Sequence, residues 1–125
     1  MAITLGEKGA KVAVNYAHDD KAAEEVVKMI ETNGGEAIAV KADVSTLEGG
    51  RQLLDATIKA WGHLDILVLN AGIMGSRAME DVDEDFFDEH IQANVKAPLF
   101  MAKAATEYLP TRKSHLSPFL DSFGL

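Results

Sequence analysis

The sequence predicts an α/β fold: a doubly wound parallel sheet, of which this chain carries three strands with flanking helices. Three observations predict it. Strand-like and helix-like stretches alternate along the chain, and in one domain that order implies parallel pairing through right-handed crossovers. The strand-like runs are almost uniformly apolar, as strands covered on both faces are. One such run, Leu64-Asp65-Ile66-Leu67-Val68, ends in Leu69-Asn70-Ala71-Gly72, an amide followed by nearly bare backbone. Ligands in open parallel sheets sit at the carboxyl ends of strands. Asn70 offers donors and an acceptor there, and Gly72 lets a flat ligand approach closely.

Each element has its own signal. Lys11-Val12-Ala13-Val14-Asn15-Tyr16 is a short β-rich run after Gly9. Residues 20–33 read as a helix, with Ala22, Ala23, Val26, Val27 and Ile30 on one face, and Asn33-Gly34-Gly35 stops it. Glu36-Ala37-Ile38-Ala39-Val40 is the second strand. Ser45-Thr46-Leu47-Glu48 is a capping box that opens a helix to about Trp61, striped by Leu47, Leu54, Ile58 and Trp61. Gly49 and Gly50 weaken its first turns by ~1 kcal/mol each relative to alanine. Gly62 closes it, and residues 64–69 form the third strand. Residues 83–109 read as one long helix or two in sequence. The stretch 110–125 carries no clear strand or helix pattern.

Composition narrows the function. A chain of 125 residues is ordinary for one domain and can bury a core. With 47% hydrophobic and 26% charged residues it has a globular composition rather than a disordered one. A net charge of −8 argues against a nucleic-acid or anionic-membrane surface. There is no cysteine, which rules out disulfides and cysteine metal sites. No apolar run approaches the ~20 residues of a membrane span, and the first residues lack the pattern of a secretory signal. The expected location is cytoplasmic, by elimination.

Four segments together resemble the short-chain dehydrogenase/reductase family: residues 7–16 (EKGAKVAVNY), 40–45 (VKADVS), 69–72 (LNAG) and Asn94-Val95. Each is weak alone, but they stand in the right order and at the right separations, across residues 3–109. The resemblance implies a partial Rossmann-type fold over residues 1–109, with 110–125 a divergent tail. It implies a nicotinamide dinucleotide cofactor and a small-molecule carbonyl or alcohol substrate. It implies that Asp43 and Val44 lie beside the adenine, that Asn70, Ala71 and Gly72 support the cofactor, and that Asn94 is the catalytic asparagine that anchors a water in a proton relay. Asn15 and Tyr16 stand where an acid would hold the ribose of NAD, which leans the cofactor toward NADP.

Asn94 also has an argument from its own neighbourhood. Pro98 has no N–H, so the α-helical bond from the Asn94 carbonyl cannot form, and the helix should kink there with that carbonyl available to water. The same proline would equally mark a plain boundary between two helices.

The chain also departs from the family. The expected first strand and glycine-rich turn do not precede residue 1, and Gly6 and Gly9 read as a helix end and a turn. The family's catalytic serine and its Tyr-x-x-x-Lys are not found. Ser114, Ser117 and Ser122 follow no strand, Tyr16 is followed by Asp20, and Tyr108 is separated from Arg112 by Pro110. The expectation is a chain inactive by itself, with cofactor binding weakened or lost. The rival reading is a non-catalytic interaction protein that pairs with a full-length relative through the 86–99 helix, whose stripe is Phe86, Phe87, Ile91, Val95 and Leu99. A homo- or hetero-oligomer is compatible with both. A third possibility is that both ends of the coding sequence are misassigned. His18, His63, His90 and His115 lack metal spacing and read as surface residues, so no metal site is expected. The acids from Glu80 to Glu89 read as a solvated helix start. Met74, Met79 and Met101 read as packing.

Overall fold

Strands β1 (Lys11–Tyr16) and β2 (Glu36–Lys41) pair in parallel, with Lys11 opposite Glu36 and Tyr16 opposite Lys41. Helix α2 (Asp20–Thr32) joins them, which makes the βαβ unit that the alternating pattern predicts. The computed structural model describes residues 1–109 and divides into two units, Met1–Asp43 and Val44 onward. The divergent 110–125 segment and its serines lie outside the described residues.

In the first unit the helix α2 begins where Asp19 accepts a hydrogen bond from the Ala22 amide at 3.0 Å. Its Ile30 is fully buried, at 0% exposure. Two glycines are shaped by that side chain. A Cβ on Gly6, in helix α1 (Ala2–Glu7), would lie 2.6 Å from Ile30 Cγ2, and one on Gly35 would lie 2.7 Å from it. Gly6 therefore makes a close approach in the last turn of α1, and Gly9, with φ of +86°, is the turn, as the sequence suggests.

The second unit is helical. Helix α3 (Leu47–Trp61) is capped by Thr46, whose hydroxyl accepts from the Gly49 amide at 3.0 Å, one residue later than the Ser45 cap the sequence suggests. Leu47 is correspondingly exposed, outside the stripe assigned to it. Gly49 and Gly50 are buried, and a Cβ on Gly50 would sit 3.6 Å from Met101. That distance is ordinary van der Waals contact, so the approach of the Met101 segment does not itself require glycine at position 50. Gly62 ends α3 in the left-handed conformation.

The expected third strand is corrected. Residues 64–69 join no ladder, and among the described residues the sheet has two strands. The apolar pattern is still used. Leu64, Leu67 and Leu69 pack against the buried cluster of Leu54, Met101 and Ala105, while Ile66 and Val68 face outward. Inward and outward alternation is what a strand needs on its faces, but a strand also needs a hydrogen-bonded neighbour along its edge.

The long helical stretch resolves into α4 (Glu84–Ile91), a π-helical turn (Gln92–Lys96) and α5 (Ala97–Ala105). The Ala97 amide reaches back five residues to the Gln92 carbonyl. The chain passes Pro98 by widening one turn, which is how the expected irregularity is realised. Of the methionines read as packing, Met101 is buried, but Met74 and Met79 are exposed. Among the described residues no helix is long and apolar enough to cross a membrane.

Candidate functional site

The π-helical turn presents two amide side chains, each of which grips backbone from elsewhere in its unit. Asn94 takes the peptide of Ile73 at both ends: the Ile73 amide donates to Oδ1 at 2.8 Å, and Nδ2 donates to the Ile73 carbonyl at 2.9 Å. This pair imitates a strand-to-strand contact using one side chain. Two residues earlier, Gln92 donates through Nε2 to the Ser45 carbonyl at 2.9 Å. Ser45 follows Val44, whose side chain packs on the Leu54 cluster. Gln92 is a residue that sequence reasoning passed over. Its spacing from Asn94 ahead of Pro98 was the available signal, since two amides near a disrupted helical bond suggest backbone-holding chemistry.

The Asn94 clasp explains Gly72. A Cβ there would lie 2.9 Å from Asn94 Oδ1, closer than such contacts tolerate. The 70–72 turn is therefore held on one side by Leu69, anchored in the core, and on the other by Ile73. Between them Asn70, Ala71 and Gly72 are exposed. The structure thus places Asn94 beside the 70–72 turn.

The remaining predicted residues stand in the first unit or at its border. Asn15 lies in β1 and donates through Nδ2 to the Val40 carbonyl at 3.3 Å and to the Ala42 carbonyl at 2.9 Å. Both of its donors hold the end of β2, so only its oxygen remains for a ligand. Tyr16 accepts at its carbonyl from the Ala42 amide at 3.0 Å. Asp43 follows β2 and is exposed. A groove of 380 Å³ between α1 and α2, lined by Ile3, Met29 and Asn33 among others, holds none of these residues.

The acids around the α4 start behave as the sequence suggests at Asp83. It caps the helix, accepting from the Phe86 amide at 2.8 Å, and pairs with Arg77 at 3.1 Å. The Phe86 amide, and after it the Arg77 guanidinium, hold its carboxyl below the usual carboxylate value. His90 departs from the surface reading: its Nε2 is buried and has no hydrogen-bond partner.

A family model described as short chain dehydrogenase matches residues 1–115. The chain belongs to the short-chain dehydrogenase/reductase family. Versicolorin reductase 1 of Aspergillus parasiticus is 42% identical over 109 residues, covering 87% of this chain and 42% of that reductase. A short-chain dehydrogenase of Burkholderia cenocepacia, solved in complex with NADP, is 37% identical with a TM-score of 0.82, covering 86% of this chain and 44% of the other. The landomycin C-6 ketoreductase LanV, solved with NADP and rabelomycin, is 39% identical with a TM-score of 0.81 over 87% of this chain and 47% of the other. The chain spans less than half the length of each of these relatives. For a dehydrogenase of this family the fold is the Rossmann-type α/β architecture expected above, present here in part.

The residues on hand fit part of a nicotinamide dinucleotide site. Asn70, Ala71 and Gly72 are exposed, and a Cβ on Gly72 would lie 2.9 Å from Asn94 Oδ1. A braced, exposed segment can bear a flat group, but the missing Gly72 side chain makes room for Asn94 rather than for a ligand.

Proposed function

We propose that this chain carries part of an NAD(P)(H)-dependent oxidoreductase that interconverts alcohols and carbonyls, with NADP(H) as the preferred cofactor. The dinucleotide supplies the hydride; the residues of this chain hold it. In this reading Asn70, Ala71 and Gly72 bear on the cofactor, Asp43 accepts from the adenine amine, and Val44 lies beside the ring. Asn15 and Tyr16 stand toward the ribose. The observation that carries the reading is the grip of Asn94 on Ile73, which braces the 70–72 turn. Because both ends of the Asn94 amide are engaged there, what Asn94 offers a proton relay is its main-chain carbonyl. Pro98 denies that carbonyl its α-helical donor, which suits it to anchor a water.

Proton transfer to a carbonyl needs a donor of suitable pKa within hydrogen-bond reach. Tyr108 is half-buried just past α5, and no lysine accompanies it in the family's spacing. The 125-residue chain by itself is therefore proposed to be inactive. The two solved relatives bound to NADP support NADPH as the probe, and the names of the versicolorin reductase and of LanV with bound rabelomycin support versicolorin and rabelomycin as first substrates to try. With stoichiometric protein and NADPH, the expected result is oxidation no faster than a matched blank. Turnover above the blank would overturn the proposed inactivity.

A second reading has its own observation. Phe87, Ile91, Val95 and Leu99 recur every four residues and are 59%, 40%, 53% and 63% exposed. An apolar stripe of that kind suits helix-to-helix contact. In this reading the chain pairs with a full-length relative through the 86–99 helix. Co-purification with an intact reductase, lost on Phe87→Glu with Leu99→Glu, is expected; monomeric scattering alone and in mixture would remove it.

A further inference from the structure

The segment leading out of the 70–72 turn is gripped a second time, at Gly75. A Cβ on Gly75 would lie 2.9 Å from Phe86 Cε2, 3.1 Å from His90 Nε2 and 3.2 Å from His90 Cε1. The two rings that close on it are themselves packed, with centroids 4.1 Å apart. Nδ1 of His90 lies 2.8 Å from the Phe86 carbonyl, and a carbonyl only accepts, so that nitrogen carries the proton. Nε2 is then left against Gly75, buried and without a partner. A histidine placed for its own hydrogen bonds would not strand a nitrogen in this way. The ring's position is explained by what it covers.

Two residues further on, Arg77 lies over the Phe86 ring at 4.6 Å and bonds to Asp83 at 3.1 Å. The periodicities match. His90 and Asn94 are four apart on a helix and so share a side, while Ile73 and Gly75 are two apart on the segment they hold. Met74, between them, is held outward at 96% exposure.

We infer that His90 is a positioning residue: with Phe86 it forms a latch over Gly75 that, beside the Asn94 clasp, fixes the backbone leaving the cofactor-bearing turn. The importance of that turn rests on the function proposed above, but the latch does not. A methyl at position 75 forces the rings aside, and removal of the His90 ring empties the latch. Combined, the added methyl still meets Phe86 Cε2 at 2.9 Å, but that ring can swing into the space the His90 ring has left.

The test is amide exchange at Ile73 in the whole chain. Gly75→Ala and His90→Ala singly are expected to speed it at least tenfold, with the Leu54 and Ala105 amides unchanged. The double variant is expected to recover to within about threefold of the parent. A change under twofold in either single variant, or a double variant showing the product of both effects, overturns the latch. The imidazole nitrogen spectrum gives a separate signature: protonated Nδ1 supports the arrangement, and protonated Nε2 with bare Nδ1 contradicts it. NADPH affinity is measured on the same variants. Unchanged affinity with a loosened Ile73 supports the latch and overturns only the reading of the turn as cofactor support.

Discussion

Asp83 illustrates how a single carboxylate joins helix start to loop. Its folded value lies below the ordinary one because the Phe86 amide, and then Arg77, favour the charged form. A depressed acid contributes stability that is present above its unfolded value of about 3.9 and is lost as pH falls through the lowered folded value. The start of α4 is therefore expected to hold unchanged from neutral pH to about pH 4 and to loosen below it. Proton exchange at the Phe86 amide, followed against pH, checks this. In Asp83→Asn the cap persists, since asparagine also accepts from the helix start, but this acid-dependent loosening should disappear. At the same scale, the family resemblance singled out Asn94 and the apolar run singled out residues 70–72, but nothing in the residue types named Ile73 as the partner of the Asn94 side chain. The burial of His90 was not legible either. A lone histidine carries no sign of which ring nitrogen will be covered, and its cover comes from Gly75, fifteen positions away.

Elements were legible where one stretch contains its own cause. The apolar face of α2 and its Asn33-Gly34-Gly35 stop lie within a few residues of one another, and the helix runs from Asp20 to Thr32, one residue short of the 20–33 expected. Residues 64–69 show the opposite case. Their apolar pattern places Leu67 and Leu69 inward, yet the ladder that defines a strand depends on a neighbour that no local pattern supplies. Pro98 falls between these cases. It announced an irregularity, but whether the helix would break or widen depended on packing by Ala97 and Met101, both buried in the turns around it. Gly6 gives a prediction at this scale. Alanine there gains ~1 kcal/mol in helix propensity, but its Cβ would meet Ile30 at 2.6 Å. Overpacking of this kind costs about 1–3 kcal/mol, so the clash should win. Denaturant unfolding of Gly6→Ala is expected to show a lowered midpoint; a raised midpoint would mean that α1 can shift away from Ile30.

At the scale of the whole molecule, the family match over residues 1–115 and the site described here meet in one place, the π-helical turn. Its amides at Gln92 and Asn94 hold the backbone beside Val44 and beyond Gly72, two of the segments whose sequences carried the resemblance. The cofactor support proposed for this chain depends on the turn being braced rather than free. Hydrogen exchange at Ile73 and its neighbour Met74, in the parent chain and in Asn94→Ala, tests that bracing most directly. Strong protection of Ile73 but not of Met74, abolished by the substitution while the α3 amides keep theirs, is the result this structure predicts. Ile73 exchanging as fast as Met74 in the parent chain would contradict it.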